Sequence, residues 1–151
     1  MFQDSIMLKN RHQKFIKTVS DNGIVFGLKS KNGFATSSSN HYEDDDGKPI
    51  GMICFWAEKV RAKSCAKEGW KKYKPTEIPL TEFIENWCVG MANDGLILGT
   101  QFDQNLFGYE VEPLKLILEL TAELKSNGKE LNFKKFNGID DLEKQVKELT
   151  K

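Results

Sequence analysis

The densest group of chemically active side chains is the acidic run Glu43-Asp44-Asp45-Asp46-Gly47, and carboxylates so closely spaced are first of all candidate ligands for a hard cation. With Gly47 in the sixth position of a calcium loop, the first, third, fifth and twelfth positions fall on Tyr42, Asp44, Asp46 and Ile53. Two of these four offer no suitable oxygen, so no calcium site is expected. The run reads either as a solvated loop between strands or as an acidic contact for a basic partner surface. In the second case Asp44, Asp45 and Asp46 would speed encounter more than tighten it.

Two histidines are the available imidazole bases. His12 lies on or beside an apolar helical stripe and His41 in a polar segment, and neither has a nucleophile at motif spacing. Core packing for His12 and exposure for His41 are expected. The three cysteines, Cys54, Cys65 and Cys88, are an odd number without metal-ligand spacing, and each sits among apolar neighbours as a reduced thiol would in a reducing compartment. A Cys88 thiolate working with His12 would face a raised pKa and poor access. The glycines form neither a phosphate loop nor a dinucleotide fingerprint, so no cofactor and no metal are expected. In Trp70-Lys71-Lys72-Tyr73-Lys74 rings alternate with cations, a pattern able to stack nucleobases. The more economical reading has Trp70 closing the edge of the core with wet lysines around it, and protein contact as the next alternative.

These side chains must be positioned by elements that the spacing predicts. The organising stretch runs from Tyr73 to Gly95. Its Leu80, Phe83, Ile84, Trp87, Cys88 and Met91 form one helical stripe, with Pro79 in the first turn and Gly95 just past the end. A first helix carries Leu8, His12, Phe15, Ile16 and Val19 up to Asp21-Asn22-Gly23. Ile24–Lys29 and Gly33–Ser37 predict a hairpin about Asn32-Gly33, residues 38–48 a polar loop, and Pro49–Trp56 a central strand. Ala62, Cys65, Ala66 and Trp70 predict a helix over 58–70. Residues 95–100 and 107–111 predict strands joined by a polar loop, and Pro113 opens a helix that Asn127-Gly128 stops. A last short helix carries Leu142, Val146 and Leu149, with Asp140 or Asp141 as N-cap. The order predicts an α+β fold: a mainly antiparallel sheet of four to five strands packed with helices. Residues 1–128 are expected to form this domain, with 129–151 as a helical extension packed on or beside it.

With 151 residues the chain can bury about 70% of the surface its unfolded form exposes, so one domain needs no disulfide or metal. Twenty-two basic residues balance 22 acidic ones, a formal charge of zero that disfavours nucleic acid and anionic membranes as partners. No run approaches the roughly 18 apolar residues of a membrane span, and the start lacks a basic segment followed by an apolar run. The expected location is the bacterial cytoplasm, with or without translocation into a host cytosol.

Several of these segments together resemble the bacterial family of unknown function numbered two thousand seven hundred and fifty. They are Val25-Phe26-Gly27-Leu28, Gly33-Phe34-Ala35, Phe55-Trp56, Ala62 with Cys65-Ala66, Trp70, Tyr73 through Leu80, Asp94-Gly95 and Val111-Glu112-Pro113. The resemblance runs from the first helix to about Leu124. It departs at Ala57, where the family pattern has serine, aspartate or a similar polar residue, and leaves Lys129–Lys151 outside. The family carries no established catalytic residues. One similar member, a Legionella protein, antagonises a pair of ubiquitin-deamidating effector enzymes, one of which is also a transglutaminase. The resemblance therefore implies a non-enzymatic inhibitor that masks such an effector. Asp44, Asp45, Asp46, Trp70 and Tyr73 are the expected contact residues. A regulatory protein with a housekeeping partner is the alternative, and an enzyme using Cys88 or Cys65 the third reading. Self-association as a homodimer is expected from the wide apolar stripe around Leu116 and Leu120.

Overall fold

A computed structural model describes residues 2–150. Helix α1 (Phe2–Asn22) leads into strand β1 (Ile24–Ser30), a two-residue β2 (Gly33–Phe34), β3 (Thr36–Glu43) and β4 (Pro49–Phe55). A short α2 (Lys59–Ser64) and strand β5 (Lys74–Pro79) precede a composite helix α3. That helix is built from α-helical Leu80–Glu82, π-helical Phe83–Cys88 and α-helical Val89–Asp94. Strands β6 (Ile97–Thr100) and β7 (Tyr109–Val111) follow, then α4 (Pro113–Ser126) and α5 (Ile139–Leu149). The α+β expectation is borne out, but the strands divide into two sheets, ordered β2-β1-β5 and β3-β4-β6-β7. All pairs are antiparallel except β4 with β6, which places Met52 beside Ile97 and Phe55 beside Thr100. An antiparallel bridge between Phe26 and Trp56, with reciprocal 2.8 Å hydrogen bonds, joins the sheets.

Two strands occupy segments whose composition hides them. β5 contains Pro75 and Pro79 yet pairs with β1 from Ile24–Pro79 to Lys29–Lys74. It is an edge strand, where proline is tolerated because one side needs no donors. β3 starts at the end of the expected Gly33–Ser37 strand and runs on through residues 38–43, expected as a polar loop; it too is an edge, with most side chains in water. Its register shifts between Ser38 and Glu43. There Glu110 of the opposite edge strand accepts the Ser39 hydroxyl and, at 2.9 Å, the Asn40 N–H, so one buried carboxylate draws the two edges of the sheet together.

The helix expected over 58–70 stops at Ser64. Lys67 is extended, Glu68 has φ of 50°, and Trp70 is reached through a 3-10 turn. Helix α3 spans the expected stretch and ends at Gly95 in the left-handed region, φ 70° and ψ 32°. Pro79, however, closes β5 and stands at the N-cap rather than inside the first turn. In the π segment the Val89 N–H reaches the Ile84 carbonyl. The extra residue in this turn rotates the stripe: Glu85 comes inside at 5% exposure, while Trp87 is only half-buried and stacks edge-on against Phe34 and Phe55. The first turn of α5 is capped by Gly138, not Asp140 or Asp141. Asp141 instead accepts the Asn137 N–H at 2.9 Å.

The main core joins Phe15 and Val19 of α1, Phe83, Ile84 and Cys88 of α3, Leu116, Ile117, Leu120 and Leu124 of α4, and Ile139, Leu142 and Val146 of α5. Leu116 and Leu120, from which self-association was expected, are fully buried within the chain, where they pack into its own core. Truncating Leu120 to alanine there costs about 3 kcal/mol. A second cluster holds Leu28, Met52, Cys54, Trp56, Ala62, Cys65, Ile97 and Phe102 between the sheet and α2, with Trp70 and Tyr73 on its margin.

Candidate functional site

The second cluster supports the surface most suited to recognition. After β6 the chain turns at Gln101, with φ of 55°, and sends Phe102 back into the core. Its ring is received by two glycines: a Cβ on Gly99 would stand 2.6 Å from the ring and one on Gly108 only 2.0 Å. Its carbonyl accepts the Trp56 indole N–H at 2.8 Å and the Cys65 thiol at 3.2 Å. With the loop nailed down at Phe102, Asp103 organises the rest. Its carboxylate accepts the N–H groups of Asn105 and Phe107, its N–H donates to the Phe107 carbonyl, and its carbonyl accepts the Leu106 N–H.

This ordering holds Leu106 and Phe107 outward, 41% and 62% exposed. Leu106 stands at φ 62°, a conformation a leucine keeps only where surrounding bonds impose it. Facing it across an open cleft of about 490 Å³ is the turn from Cys65 to Trp70, with Glu68 likewise at positive φ. Lys67 spans the two walls through a 2.8 Å hydrogen bond to Gln104. The cleft thus combines a half-buried indole and a projecting leucine with amide and charged groups at its rim, and Phe107 is exposed next to Leu106 in the chain. Such a mixture of aromatic and aliphatic anchors with polar surroundings is how protein contacts are built.

Of the residues expected at a partner surface, Trp70 and Tyr73 are adjacent, the Tyr73 N–H donating to the Trp70 carbonyl at 3.0 Å. Asp44, Asp45 and Asp46 are exposed on the separate β3–β4 turn, where the Asp44 carboxylate is occupied by the N–H groups of Asp46 and Lys48. No hydrogen bond or ion pair among the described residues links that turn to Trp70 or Tyr73. Leu106 was missed, being read as part of a polar loop, and Phe107 lies ahead of the strand it was assigned to, which starts at Tyr109. The signal present was two adjacent apolar residues in a segment too short and too polar to bury them.

The nucleophile candidates stand elsewhere. All three thiols are free and buried, and burial pushes each of them up, most strongly Cys54 and Cys88. His12 is buried as expected, but in a hydroxyl–imidazole–carboxylate line. Its Nδ1 meets Thr100 Oγ1 at 2.7 Å and its Nε2 donates to Glu119 at 2.9 Å, while the ring stacks on Tyr109 with centroids 4.2 Å apart. These are the distances of a nucleophile, base and orienting acid. Thr100 is wholly buried within β6, so no substrate carbon reaches its oxygen, and the line serves to tie α1, β6 and α4 together. It escaped the sequence because its members lie 88 and 107 residues apart. His41 is exposed, though in β3 rather than in a loop. Among the described residues no group of three His, Cys, Asp or Glu side chains is placed to hold a metal ion, and no helix is long and apolar enough to cross a membrane.

The sequence model of one family, described as "Protein of unknown function (DUF2750)", matches residues 12–120. No curated protein and no solved structure matches the chain.

Proposed function

The chain belongs to that family of unknown function, and from this footing we propose that it is a non-enzymatic regulator that works by covering a partner protein's surface. The observation that carries the reading is the outward pair Leu106 and Phe107, held on a loop that Phe102 and Asp103 make rigid. Apolar side chains presented in a fixed conformation lose little entropy on binding, which favours a preformed anchor. The neighbouring Trp70 and the Lys67–Gln104 bridge supply further aromatic area and a polar rim. The burial of Cys54, Cys65 and Cys88 supports a protein that carries no thiol nucleophile.

For the partner, we propose a bacterial ubiquitin-deamidating effector, with or without transglutaminase activity, whose catalytic or substrate-binding face is masked. The resemblance described above supports this choice. The test is co-purification with candidate effectors followed by a ubiquitin deamidation assay. The intact protein is expected to inhibit, and Phe107→Asp to weaken binding by about tenfold or more with an unchanged circular dichroism spectrum. Unchanged deamidation at saturating ratio removes the effector as partner. Full inhibition by the Phe107→Asp protein removes the surface.

A further inference from the structure

On the other side of the Gln101 turn, α1 and α2 enclose a second cleft, of about 370 Å³, with a different character. Its walls are Arg11, Lys14, Lys17 and Thr18 of α1, Glu58 and Arg61 at α2, and Gln101. Four cations face one carboxylate in a chain whose formal charge is zero. The carboxylate is already taken, Glu58 accepting from Arg61 Nε at 2.9 Å, which leaves the terminal nitrogens of that guanidinium as donors. Arg11 is held loosely, its guanidinium 3.7 Å from the Asp103 carboxylate and 3.8 Å from the Met7 sulfur.

Surface cations alone make no site; Gln101 is what distinguishes this cleft. The residue is 4% exposed and stands at φ 55°. Its Oε1 accepts the buried Ala57 N–H at 2.8 Å. An N–H can only donate, so the oxygen is fixed on Ala57, and the amide NH₂ is the end of the side chain left over. No acceptor for that NH₂ is found among the described residues, and Gln101 forms part of the cleft wall. An oriented neutral double donor on a buried side chain in the wall of a cationic cleft is the arrangement that receives an oxyanion. Its backbone is strained into position, and strain of this kind is kept where surrounding structure imposes it. Guanidinium forks favour a tetrahedral phosphate, whose charge and several acceptor oxygens can use donors converging from different elements.

We propose that the cleft between α1 and α2 binds a dianionic phosphate group, with the Gln101 amide and the Arg11 and Arg61 guanidinium groups as donors and Lys14 and Lys17 as the electrostatic wall. The site goes beyond the partner-masking reading and stands without it.

The test is titration of the full-length protein with inorganic phosphate and, in a second arm, with a short phosphoserine peptide, followed by backbone amide shifts. Potassium chloride at matched ionic strength is the control. Saturable shifts centred on Ala57 and Gln101 are expected. Gln101→Glu keeps the acceptor for the Ala57 N–H while replacing the donor by negative charge, and should weaken binding about tenfold or more, as should Arg61→Gln. Tighter binding of the peptide than of free phosphate would identify a phosphoprotein as the source, and the reverse a small phosphate. Shifts that follow ionic strength without saturating, or a Gln101→Glu protein of folded spectrum that binds as the parent does, would overturn the proposal.

Discussion

The indole N–H of Trp56 donates to the carbonyl of Phe102 across 2.8 Å. By that bond the strand end after β4, itself paired to β1 through Phe26, fixes the base of the loop that carries Leu106 and Phe107. The two sheets meet at Trp56, so the projecting loop is anchored at the junction of the fold and not at its periphery.

The fit of Phe102 between glycines gives a steric prediction. A Cβ at position 108 would stand 2.0 Å from the Phe102 ring, and this buried ring has no open side into which to move. Gly108→Ala should destabilise by about 2 kcal/mol, and Phe102→Ala by about 3 kcal/mol, both measured by urea unfolding. A Gly108→Ala protein as stable as the parent would show that the ring can be displaced.

The hydroxyl–imidazole–carboxylate line predicts a structural cost. Thr100→Val keeps the shape and removes the partner of His12 Nδ1. The buried nitrogen then lacks its hydrogen bond, at a cost of about 1–2 kcal/mol. Chemical denaturation reads this directly, and a neutral effect would mean the ring finds another partner.

Ser20 predicts the opposite sign. Its Oγ is buried in α1 without a hydrogen-bond partner among the described residues. Ser20→Ala removes an unsatisfied group and improves helix propensity, so a gain of about 1 kcal/mol is expected in the same unfolding measurement. The Ser20 carbonyl keeps its bond from Lys129 in either case.

The pairing of α4 with α5 carries a pH dependence. The hydrogen bond from Lys125, at 3.0 Å, lowers the Glu143 carboxyl below its ordinary 4.5, and the charges of Lys125 and Lys147 add to the effect. A depressed folded value means that the stabilisation is fully present above pH 4.5 and is lost as pH falls through the folded pKa. Glu143→Gln should therefore be less stable than the parent at pH 7, with the difference shrinking in acid. Thermal melts of both proteins between about pH 2.5 and 7 test this. A difference independent of pH would remove the carboxylate as its source.

Thiol burial predicts protection. In native protein none of Cys54, Cys65 and Cys88 should take up an alkylating reagent in a brief exposure, and all three should do so in denaturant, as read by intact mass. Rapid native labelling at Cys65, in the wall of the Trp70 cleft, would reopen the thiol-enzyme reading.

Much of this architecture is legible in the residues because it rests on local periodicity. Leu80 through Met91 name α3, Pro113 through Leu124 name α4, and Gly95 stops α3 where a left-handed residue is needed. What escaped depends on neighbours distant in the chain. The polar residues 38–43 and proline-bearing Lys74–Pro79 become strands only because β4 and β1 offer them an edge. Trp70 and Tyr73 could be named from composition, whereas Leu106 and Phe107 project only because Phe102 is pinned by Trp56 and Cys65, 46 and 37 residues away. Gln101 reads as a polar loop residue until Ala57 is found at its oxygen.

The widened turn at Phe83–Cys88 makes residue count itself a feature of α3. Removing one residue there would let the ladder close as an ordinary α-helix; because the wide turn holds one residue more than an α turn, the flanking side chains would keep their facing while those within the turn, Glu85 and Asn86, are displaced. Glu85 now accepts the Lys135 N–H at 2.7 Å and Asn86 takes the Lys135 ammonium at 3.1 Å. A regularised helix would carry both acceptors away and unlatch the segment leading to α5. The irregular turn is thus the hasp that keeps the last helix on the body of the protein, and a one-residue deletion there should loosen the far terminus before it disturbs the helix that was shortened.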